Sequence, residues 1–193
     1  GYDILSNPTT MTDGEGRVTT MTYDGLGRLS GVTYPTTSQP TDTATPKSMS
    51  LAYDDFNRVV ESSIVREWTG GLQATSIQQT SYDLRGRLDN THQEYHWYEG
   101  TTANNKIADF DFGYDANSNL TCFSTSGSTG CANPGYGATL YEYDERHRVK
   151  RVTVAQPNPA NHQHTDITYD NANRPLLMAY PNGVHASIGY HDS

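Results

Sequence analysis

The feature that most constrains the fold of this chain is a seven-residue pattern that recurs along it. The pattern reads Tyr-Asp-x-x-Gly or Asn-Arg-Leu or Val, with some substitutions, and full copies begin at Tyr23, Tyr53, Tyr82, Tyr114, Tyr143 and Tyr169. An earlier copy begins at Thr12, with Thr in place of Tyr. The starts at 53, 82, 114 and 143 lie 29, 32 and 29 residues apart. A period of this size is the sequence signature of a repeat architecture, in which each copy is one supersecondary unit.

Each position of the pattern has a physical interpretation. Tyr favours strands and would close the incoming strand, and the next Asp can accept a hydrogen bond from the backbone N–H two residues on. The fifth position is mostly Gly or Asn, residues that tolerate a left-handed backbone. Arg and an aliphatic residue then begin the outgoing strand, so the unit is a β-hairpin. The residues expected to form these turns are Tyr23, Asp24, Gly27, Arg28, Tyr53, Asp54, Asn57, Arg58, Tyr82, Asp83, Gly86, Arg87, Tyr114, Asp115, Tyr143, Asp144, Arg148, Tyr169, Asp170, Asn173 and Arg174.

The stretches between the turns alternate as strands do. Phe110, Phe112 and Tyr114 share one face of a strand, with Asp109 and Asp111 on the other. Variable polar connections separate the hairpins at 36–46, 69–75, 100–106, 124–137 and 155–163. We therefore predict an all-β fold of antiparallel hairpins in one continuous sheet, with residues 1–193 forming a single segment.

Composition supports a sheet with little dry core. Leu, Ile, Val and Phe make up 30 of the 193 residues, while there are 14 Tyr. The formal net charge is −9 and the cations are scattered, which argues against a nucleic-acid partner or an anionic lipid surface. There is no run of about 18 apolar residues, so no membrane span is expected. The first residues form no signal peptide and lack an initiator Met, which indicates a piece of a longer protein.

From about Thr12 to Tyr190 the pattern, together with Tyr180-Pro181-Asn182-Gly183-Val184, resembles the YD repeats of the rearrangement-hot-spot (Rhs) proteins. Such repeats also occur in bacterial wall-associated proteins, the C component of insecticidal Tc toxins and animal teneurins. The resemblance implies a β-sheet spiralling into a hollow shell, which in the toxin members encloses a C-terminal effector.

For this chain the resemblance implies a structural, non-enzymatic segment of a secreted or cell-surface protein. Its partners would be the flanking repeats and the enclosed effector of the same polypeptide. Ser118 and Asn119 break the Gly-Arg pair and Pro175 replaces the aliphatic residue, so those hairpins, like the one at Thr12, are expected to be altered. No segment matches the family's self-cleaving aspartate region, and no catalytic residue carries over.

Other candidate chemistry has simpler interpretations, and we predict no metal and no cofactor. The oxygen-rich run from Asp115 to Asn119 resembles a calcium loop but coincides with a repeat turn. His92 and His96 lie about 13 Å apart on a strand, too far to share a metal, and the histidines at 162 and 164 belong to a polar loop. Asp109 and Asp111 are more simply the polar face of a strand than a glycosidase pair.

The only cysteines, Cys122 and Cys131, bracket a polar loop. If bonded they would favour an oxidising, exported setting, and closing so short a loop would stabilise by roughly 2.5–3 kcal/mol. The alternative is a pair of free thiols in a toxin loaded in the cytosol.

Two further functions stay open. An adhesion module could bind glycan or a partner protein through exposed aromatic rows that include Trp68, Trp97 and Tyr98, unless both Trp side chains are buried. A glycan-active enzyme could use a carboxylate pair such as Asp109 and Asp111, and would lose turnover in an Asp109→Asn variant.

Overall fold

The computed structural model describes residues 1–35, 45–67, 73–99, 102–125, 130–132 and 134–190. These ranges form β-strands, turns and one short 3-10 helix at Pro159–Asn161, with no α-helix. The prediction of an all-β fold is confirmed. No helix in the described ranges has the length and apolarity needed to cross a bilayer.

Fourteen strands pair in chain order within one antiparallel sheet. They are β1 (Thr10–Thr12), β2 (Val18–Tyr23), β3 (Leu29–Thr33), β4 (Thr45–Tyr53), β5 (Val59–Glu67), β6 (Gln73–Tyr82), β7 (Leu88–Glu99), β8 (Thr102–Tyr114), β9 (Leu120–Thr125), β10 (Ala138–Tyr143), β11 (Val149–Val154), β12 (Gln163–Tyr169), β13 (Pro175–Ala179) and β14 (His185–Ser187). Each strand lies beside the one that precedes it in sequence, as expected for a meander built from hairpins.

The chain divides into two compact units. Unit 1 comprises Gly1–Tyr82 and Thr91–Ala108, and unit 2 comprises Asp83–Asn90 and Asp109–Ser193. Each unit contains its own set of hairpin turns, which are described separately below.

The connections predicted between hairpins overlap the strands in places, most extensively at 100–106 and also where β4 begins at Thr45 and β6 at Gln73. The stretch 100–106 was predicted to be a loop, but β7 continues to Glu99 and β8 begins at Thr102. Polar residues such as Asn104 and Lys106 lie within β8, on a sheet that has few buried positions. Polarity is a weak indicator of a loop when the strand itself faces water.

A shift in strand register recurs at the Tyr of the repeat. The register shifts between Thr22 and Tyr23: Tyr23 pairs with Leu29 but Thr22 pairs with Gly31, so Ser30 of the outgoing strand is the extra residue of a β-bulge. The same shift precedes Tyr53, Tyr114, Tyr143 and Tyr169. In each of these hairpins the outgoing strand contributes the extra residue.

Few side chains are buried in either unit. In unit 1 they are Val32, Ala74 and Thr91, and in unit 2 they are Cys122, Ser124, Ala138 and Ala155. Aromatic contacts across strands add to them in unit 2, where Phe123 of β9 packs against Phe110 and Phe112 of β8 with ring centroids 6.2 and 5.4 Å apart. A sheet with so little buried area depends on its hydrogen bonds and cross-strand pairs for stability.

Candidate functional site: rows of YD turns

The carboxylate of each repeat organises its own turn, as the turn at Asp144 illustrates. The Asp144 N–H donates to the carbonyl of Arg148 (2.9 Å), and the N–H of His147 donates to the carbonyl of Asp144 (3.0 Å). Asp144 Oδ1 accepts from the N–H groups of Arg146 (2.9 Å) and Arg148 (3.0 Å), and its Oδ2 accepts from Arg148 Nε (2.7 Å). The equivalent bonds form at Asp13, Asp24, Asp54, Asp83 and Asp170. Each carboxylate therefore satisfies two backbone donors that the turn leaves unpaired.

The fifth position of the repeat is left-handed wherever the pattern occurs. The φ angle is +78° at Gly27, +63° at Asn57 and +69° at Ser118, and the same region is used at Gly16, Gly86, His147 and Asn173. Non-glycine residues adopt this region at a cost, which Asn bears better than most because of its short polar side chain.

These contacts hold the turn carboxylates in their ionised form. The Arg148 guanidinium and the Arg148 backbone N–H lower the pKa of Asp144 to about 2. Backbone N–H groups, followed by the guanidinium of the same turn, lower the pKa of Asp24, Asp83 and Asp170. Hydrogen bonds to the charged form favour that form, so each turn is strongest when its Asp is ionised.

The repeat Tyr ties its turn to the preceding repeat. The Tyr53 hydroxyl donates to the carbonyl of Leu29 (2.9 Å) in unit 1, and the Tyr143 hydroxyl donates to the carbonyl of Leu120 (2.8 Å) in unit 2. Tyr82 and Tyr169 make the same bond to the carbonyls of Val59 and Val149. In every case the acceptor is the residue that begins the outgoing strand of the preceding hairpin.

The repeat Arg makes the connection in the other direction. In unit 1 the guanidinium of Arg28 stacks on the ring of Tyr53, with Cζ 4.6 Å from the centroid. One of its terminal nitrogens also donates to the Asp54 carbonyl (3.1 Å) and to Asn57 Oδ1 (2.8 Å). Arg58, Arg87, Arg148 and Arg174 stack in the same way on Tyr82, Tyr114, Tyr169 and Tyr190. The carbonyl that accepts from Arg28 thus belongs to the neighbouring turn, whereas the Asp that it bonds belongs to its own turn.

The repeat at Asp115 differs, because Asn119 occupies the Arg position. Asn119 Nδ2 lies 2.8 Å from Asp115 Oδ2 and 3.0 Å from Nδ1 of His147, the fifth residue of the next repeat. Its side-chain hydrogen bond lowers the pKa of Asp115. The backbone of the turn is unchanged, so the expectation of altered hairpins at Ser118 and Asn119, and likewise at Thr12 and Pro175, was wrong for the backbone.

Sequence analysis missed one complete copy of the turn, at Tyr2-Asp3-Ile4-Leu5-Ser6-Asn7. Asp3 Oδ1 accepts from the N–H groups of Leu5 and Asn7, and Ser6 has a φ of +67°. The signal was present, because Tyr-Asp-x-x-Ser-Asn also begins the copy at Tyr114.

The C-terminal part of the chain also contains repeat features that the sequence analysis did not recognise. Tyr190 occupies the place of a repeat Tyr: it lies under Arg174 and donates to the carbonyl of Pro175 (3.0 Å). The turn at Tyr180 to Val184 has the same backbone hydrogen bonds as the other turns and a left-handed Gly183.

The His and Asp residues considered as metal ligands do not come together in a metal site within the described part of the chain. In the described ranges no group of three or more His, Cys, Asp or Glu could hold a metal ion. Asp115, the first residue of the calcium-like run, already accepts from the N–H groups of Asn117 and Asn119. Nδ1 of His162 accepts from the N–H of Gln156 (3.1 Å), and Nε2 of His96 lies 3.3 Å from Glu94.

The carboxylates at 109 and 111 sit on one face of β8. Asp111 Oδ1 accepts from Asn90 Nδ2 (2.9 Å), and the Cα of Gly130 packs beside the same carboxylate. Asp111 is therefore engaged within unit 2 by the neighbouring strand and by the connection after β9.

Cys122 and Cys131 are joined by a disulfide, with Cα atoms 5.7 Å apart. Cys122 lies on β9 opposite Gly113 of β8. The bond holds Cys131 beside β9, close to Gly113 of β8.

The aromatic residues proposed for adhesion fall on different faces of β7. Trp97 stacks on Tyr95, with ring centroids 5.4 Å apart and planes 22° apart, whereas the neighbouring Tyr98 projects from the opposite face. Trp68 lies outside the described residues. Beside Tyr95 a groove of about 430 Å³ runs across unit 1, lined among others by Ser62, Gln78 and Lys106.

Comparison with known proteins identifies the repeats. The family model described as RHS repeat matches residues 2–39, which include the turns at Asp3, Asp13 and Asp24. Residues 2–39 therefore match Rhs-type repeats, and the resemblance to the YD-repeat family is confirmed. No match was found among curated protein sequences.

One solved structure agrees with this at the level of the fold. A crystal structure of TcdB2-TccC3-TEV matches 97% of this chain and 9% of that chain, with 17% identity and a TM-score of 0.53. Structures of a Photorhabdus luminescens Tc holotoxin pore and of TcdB2-TccC3 align at 13% and 12% identity, covering 93% and 92% of this chain and 13% of each of those chains, with TM-scores of 0.24. The chain thus spans about a tenth of the length of the structures that it matches.

Proposed function

We propose that this chain is a structural, non-catalytic stretch of YD repeats in an exported Rhs-type protein. Residues 1–193 act as one repeat segment, which forms part of a β-shell around an effector located C-terminal to the repeats in the same polypeptide. The observation that carries the proposal is the row of turns in which repeat Arg and Tyr side chains bond to, or stack on, a neighbouring repeat.

A thin wall needs this kind of reinforcement. A sheet that faces solvent or cargo on both sides can bury little apolar area, and here few side chains are buried. The edge formed by the hairpin turns is instead fastened by charge-assisted hydrogen bonds, which are stronger than neutral ones, and by guanidinium–aromatic stacking. Because the same contacts recur from repeat to repeat, the stabilisation adds along the array.

The engagement of the turn carboxylates supports a role without catalysis. Asp54 Oδ1 accepts from the N–H groups of Phe56 and Arg58, and its Oδ2 accepts from Arg58 Nε. A general acid needs a raised pKa and an accessible oxygen, whereas these carboxylates have lowered pKa values and act as turn braces. The disulfide supports export, because such bonds persist in oxidising compartments.

Protease protection in the full-length protein that contains this chain tests the proposal. We expect the region C-terminal to the repeats to survive a broad-specificity protease in the native protein, and to be digested once the protein is unfolded in urea and diluted into the same protease. Mass spectrometry of the surviving peptides identifies the protected region. Digestion of that region at equal rates in both samples would contradict encapsulation.

A second candidate, an adhesion module that binds a neutral saccharide, is favoured by one observation. Tyr95 and Trp97 form a stacked pair with nearly parallel ring planes on the face that carries the groove. The hydrogen-bonding side chains that line the groove next to Tyr95 include the neutral Ser76, Gln78 and Gln93, together with the charged Glu94 and Lys106. Aromatic platforms flanked by neutral amides and hydroxyls suit the apolar faces and hydroxyl groups of sugar rings.

Affinity electrophoresis separates the two candidates. If the groove binds saccharide, polysaccharide gels will retard the protein, and Tyr95→Ala will abolish the retardation. Tyr180→Ala is the matched control, because Tyr180 has a similar exposure of 40% and lies far along the sequence in unit 2. Equal mobility of the wild type with and without polysaccharide would eliminate the adhesion candidate and leave the shell proposal intact.

A further inference from the structure

Gly130 and Cys131, which follow β9 in sequence, lie directly on β8 in unit 2. The backbone of Gly113 approaches Cys131 so closely that a Cβ there would be 3.2 Å from the Cβ atoms of both Cys122 and Cys131. Cys131 Sγ lies 3.5 Å from the carbonyl oxygen of Asp111. Gly130, with a φ of +62°, packs its Cα against the Asp111 carboxylate, where a Cβ would be 3.1 Å away. The absence of side chains at 113 and 130 therefore allows residues 130 and 131 to rest on the strand.

The same part of unit 2 contains most of its buried side chains. Asp111, Ser124 and Ala138 are cross-strand neighbours on β8, β9 and β10. Ser124 is 1% exposed and Ala138 is fully buried, and Cys122, two residues before Ser124, is 4% exposed. These small side chains form the most buried part of unit 2, in which few other described side chains are buried. The disulfide lies at the edge of this buried part.

The two cysteines differ in exposure. Cys122 is buried, whereas Cys131 is half-buried and is followed by the exposed Ala132. A thiolate from solvent would therefore attack at Cys131 Sγ and displace the Cys122 thiolate, which takes up a proton. A second thiol then resolves the mixed disulfide, so that two reducing thiols become one disulfide and the protein gains two cysteine thiols.

We propose that the disulfide between Cys122 and Cys131 is a redox-operated clamp. In an oxidising compartment it holds residues 130 and 131 on β8. In a reducing compartment small-molecule thiols reduce the disulfide and open the clamp. Opening removes the covalent restraint that fixes residues 130 and 131 over Gly113, while the YD turns of unit 2 keep their own bonds. The clamp makes the stability of this spot depend on the compartment that the protein occupies. The inference stands on unit 2 alone and does not require encapsulation.

Limited proteolysis of the protein that contains this chain tests the clamp. The protein is purified from an oxidising compartment, its free thiols are blocked with iodoacetamide, and it is digested with subtilisin with and without dithiothreitol in separate samples. On the chain-entropy model the loss of so short a closed loop raises local opening by up to about a hundredfold. We expect cleavage between residues 122 and 137 to accelerate by tenfold or more in reductant, while cleavage in unit 1 is unchanged.

Variants make the result specific. The double variant Cys122→Ser/Cys131→Ser is expected to be cleaved at the rate of the reduced wild type, both with and without reductant. Cys131→Ser alone is a second variant that leaves the buried position at 122 intact and is expected to behave in the same way. Iodoacetamide labelling of both cysteines without reductant, or equal cleavage of oxidised and reduced wild type, would overturn the inference.

Discussion

Two kinds of link between neighbouring turns occur within unit 2, and they differ in one residue. Where Arg148 follows Asp144, the guanidinium bonds to its own Asp, stacks on Tyr169 at 4.4 Å and donates to the carbonyl of Asp170 and to Asn173 Oδ1. Where Asn119 follows Asp115, a single amide bonds to its own Asp and meets His147, and there is no cation over Tyr143 among the described contacts.

The difference shows that forming a turn and fastening it to a neighbour are separate tasks. The turn needs only an acceptor at the Asp position, a left-handed residue at the fifth position and a donor at the sixth position, so Asn119 suffices. The link needs the reach and the several donors of Arg. Tyr143 still donates to the carbonyl of Leu120, so one of the two connections survives at the weaker step.

Acidification is expected to have the largest effect, because it acts on every turn at once. The folded-state pKa of the turn aspartates lies below the ordinary value of 3.8, and that of Asp144 is about 2. The stability that these groups contribute is therefore complete above about pH 4 and is lost as the pH falls from about 4 towards 2. Urea unfolding followed by circular dichroism at pH 7, 4, 3 and 2 should show the midpoint falling mainly below pH 4. A midpoint that stays level down to pH 2.5 would contradict the role given to the carboxylates.

Removing the two kinds of link should lower the free energy of unfolding by different amounts. Arg148→Ala removes hydrogen bonds to the next turn and the stacking on Tyr169, and we expect it to lower the free energy of unfolding by about 2 kcal/mol. Asn119→Ala removes only an amide at a half-buried position, with an expected cost of about 1 kcal/mol. Urea denaturation of both variants under the same conditions provides the comparison. Equal costs would mean that the neighbouring turn contributes nothing to the Arg link.

Converting the weak link into a strong one is the reverse experiment. Asn119→Arg places a guanidinium where it can stack on Tyr143 and bond to Asp115, and we expect a gain of about 0.5–1 kcal/mol. Asn119→Lys is the matched control, because it adds the charge without a planar group that can stack and bond at several points. A gain for Lys as large as that for Arg would show that charge alone, and not the link geometry, is responsible.

The smallest effects are expected at the fifth position. Asn173→Gly keeps the left-handed backbone and removes one acceptor of Arg148, so the relief of strain and the lost bond should nearly cancel, to within about 0.5 kcal/mol. Asn173→Val is the contrasting control, because a β-branched residue in this region costs about 1–3 kcal/mol. Thermal unfolding of the two variants resolves the difference, and a destabilisation by Gly as large as that by Val would contradict the account.

The sequence was sufficient for the fold because the repeat encodes it locally. Tyr, Asp and the left-handed residue each act within a few positions of one another, so the hairpins and the all-β meander follow from pattern alone. The resemblance to the YD-repeat family follows for the same reason, because seven copies of the pattern occur in the sequence.

Features that depend on contacts between hairpins could not be read in this way. The spacing of the repeats does not predict that Arg28 stacks on Tyr53, because the two residues are distant in sequence and meet only through strand pairing. The contact of Cys131 with β8 likewise depends on the missing side chain of Gly113, on another strand. The turn at Asp3 could have been found, but its Ser-Asn ending obscured it.

Electron microscopy of the intact protein that contains these repeats tests the proposed function most directly. The account predicts a hollow, closed particle with additional density inside it that corresponds to the region C-terminal to the repeats. An open rod, or a filament that leaves both faces of the sheet exposed, would contradict the shell and would favour adhesion instead.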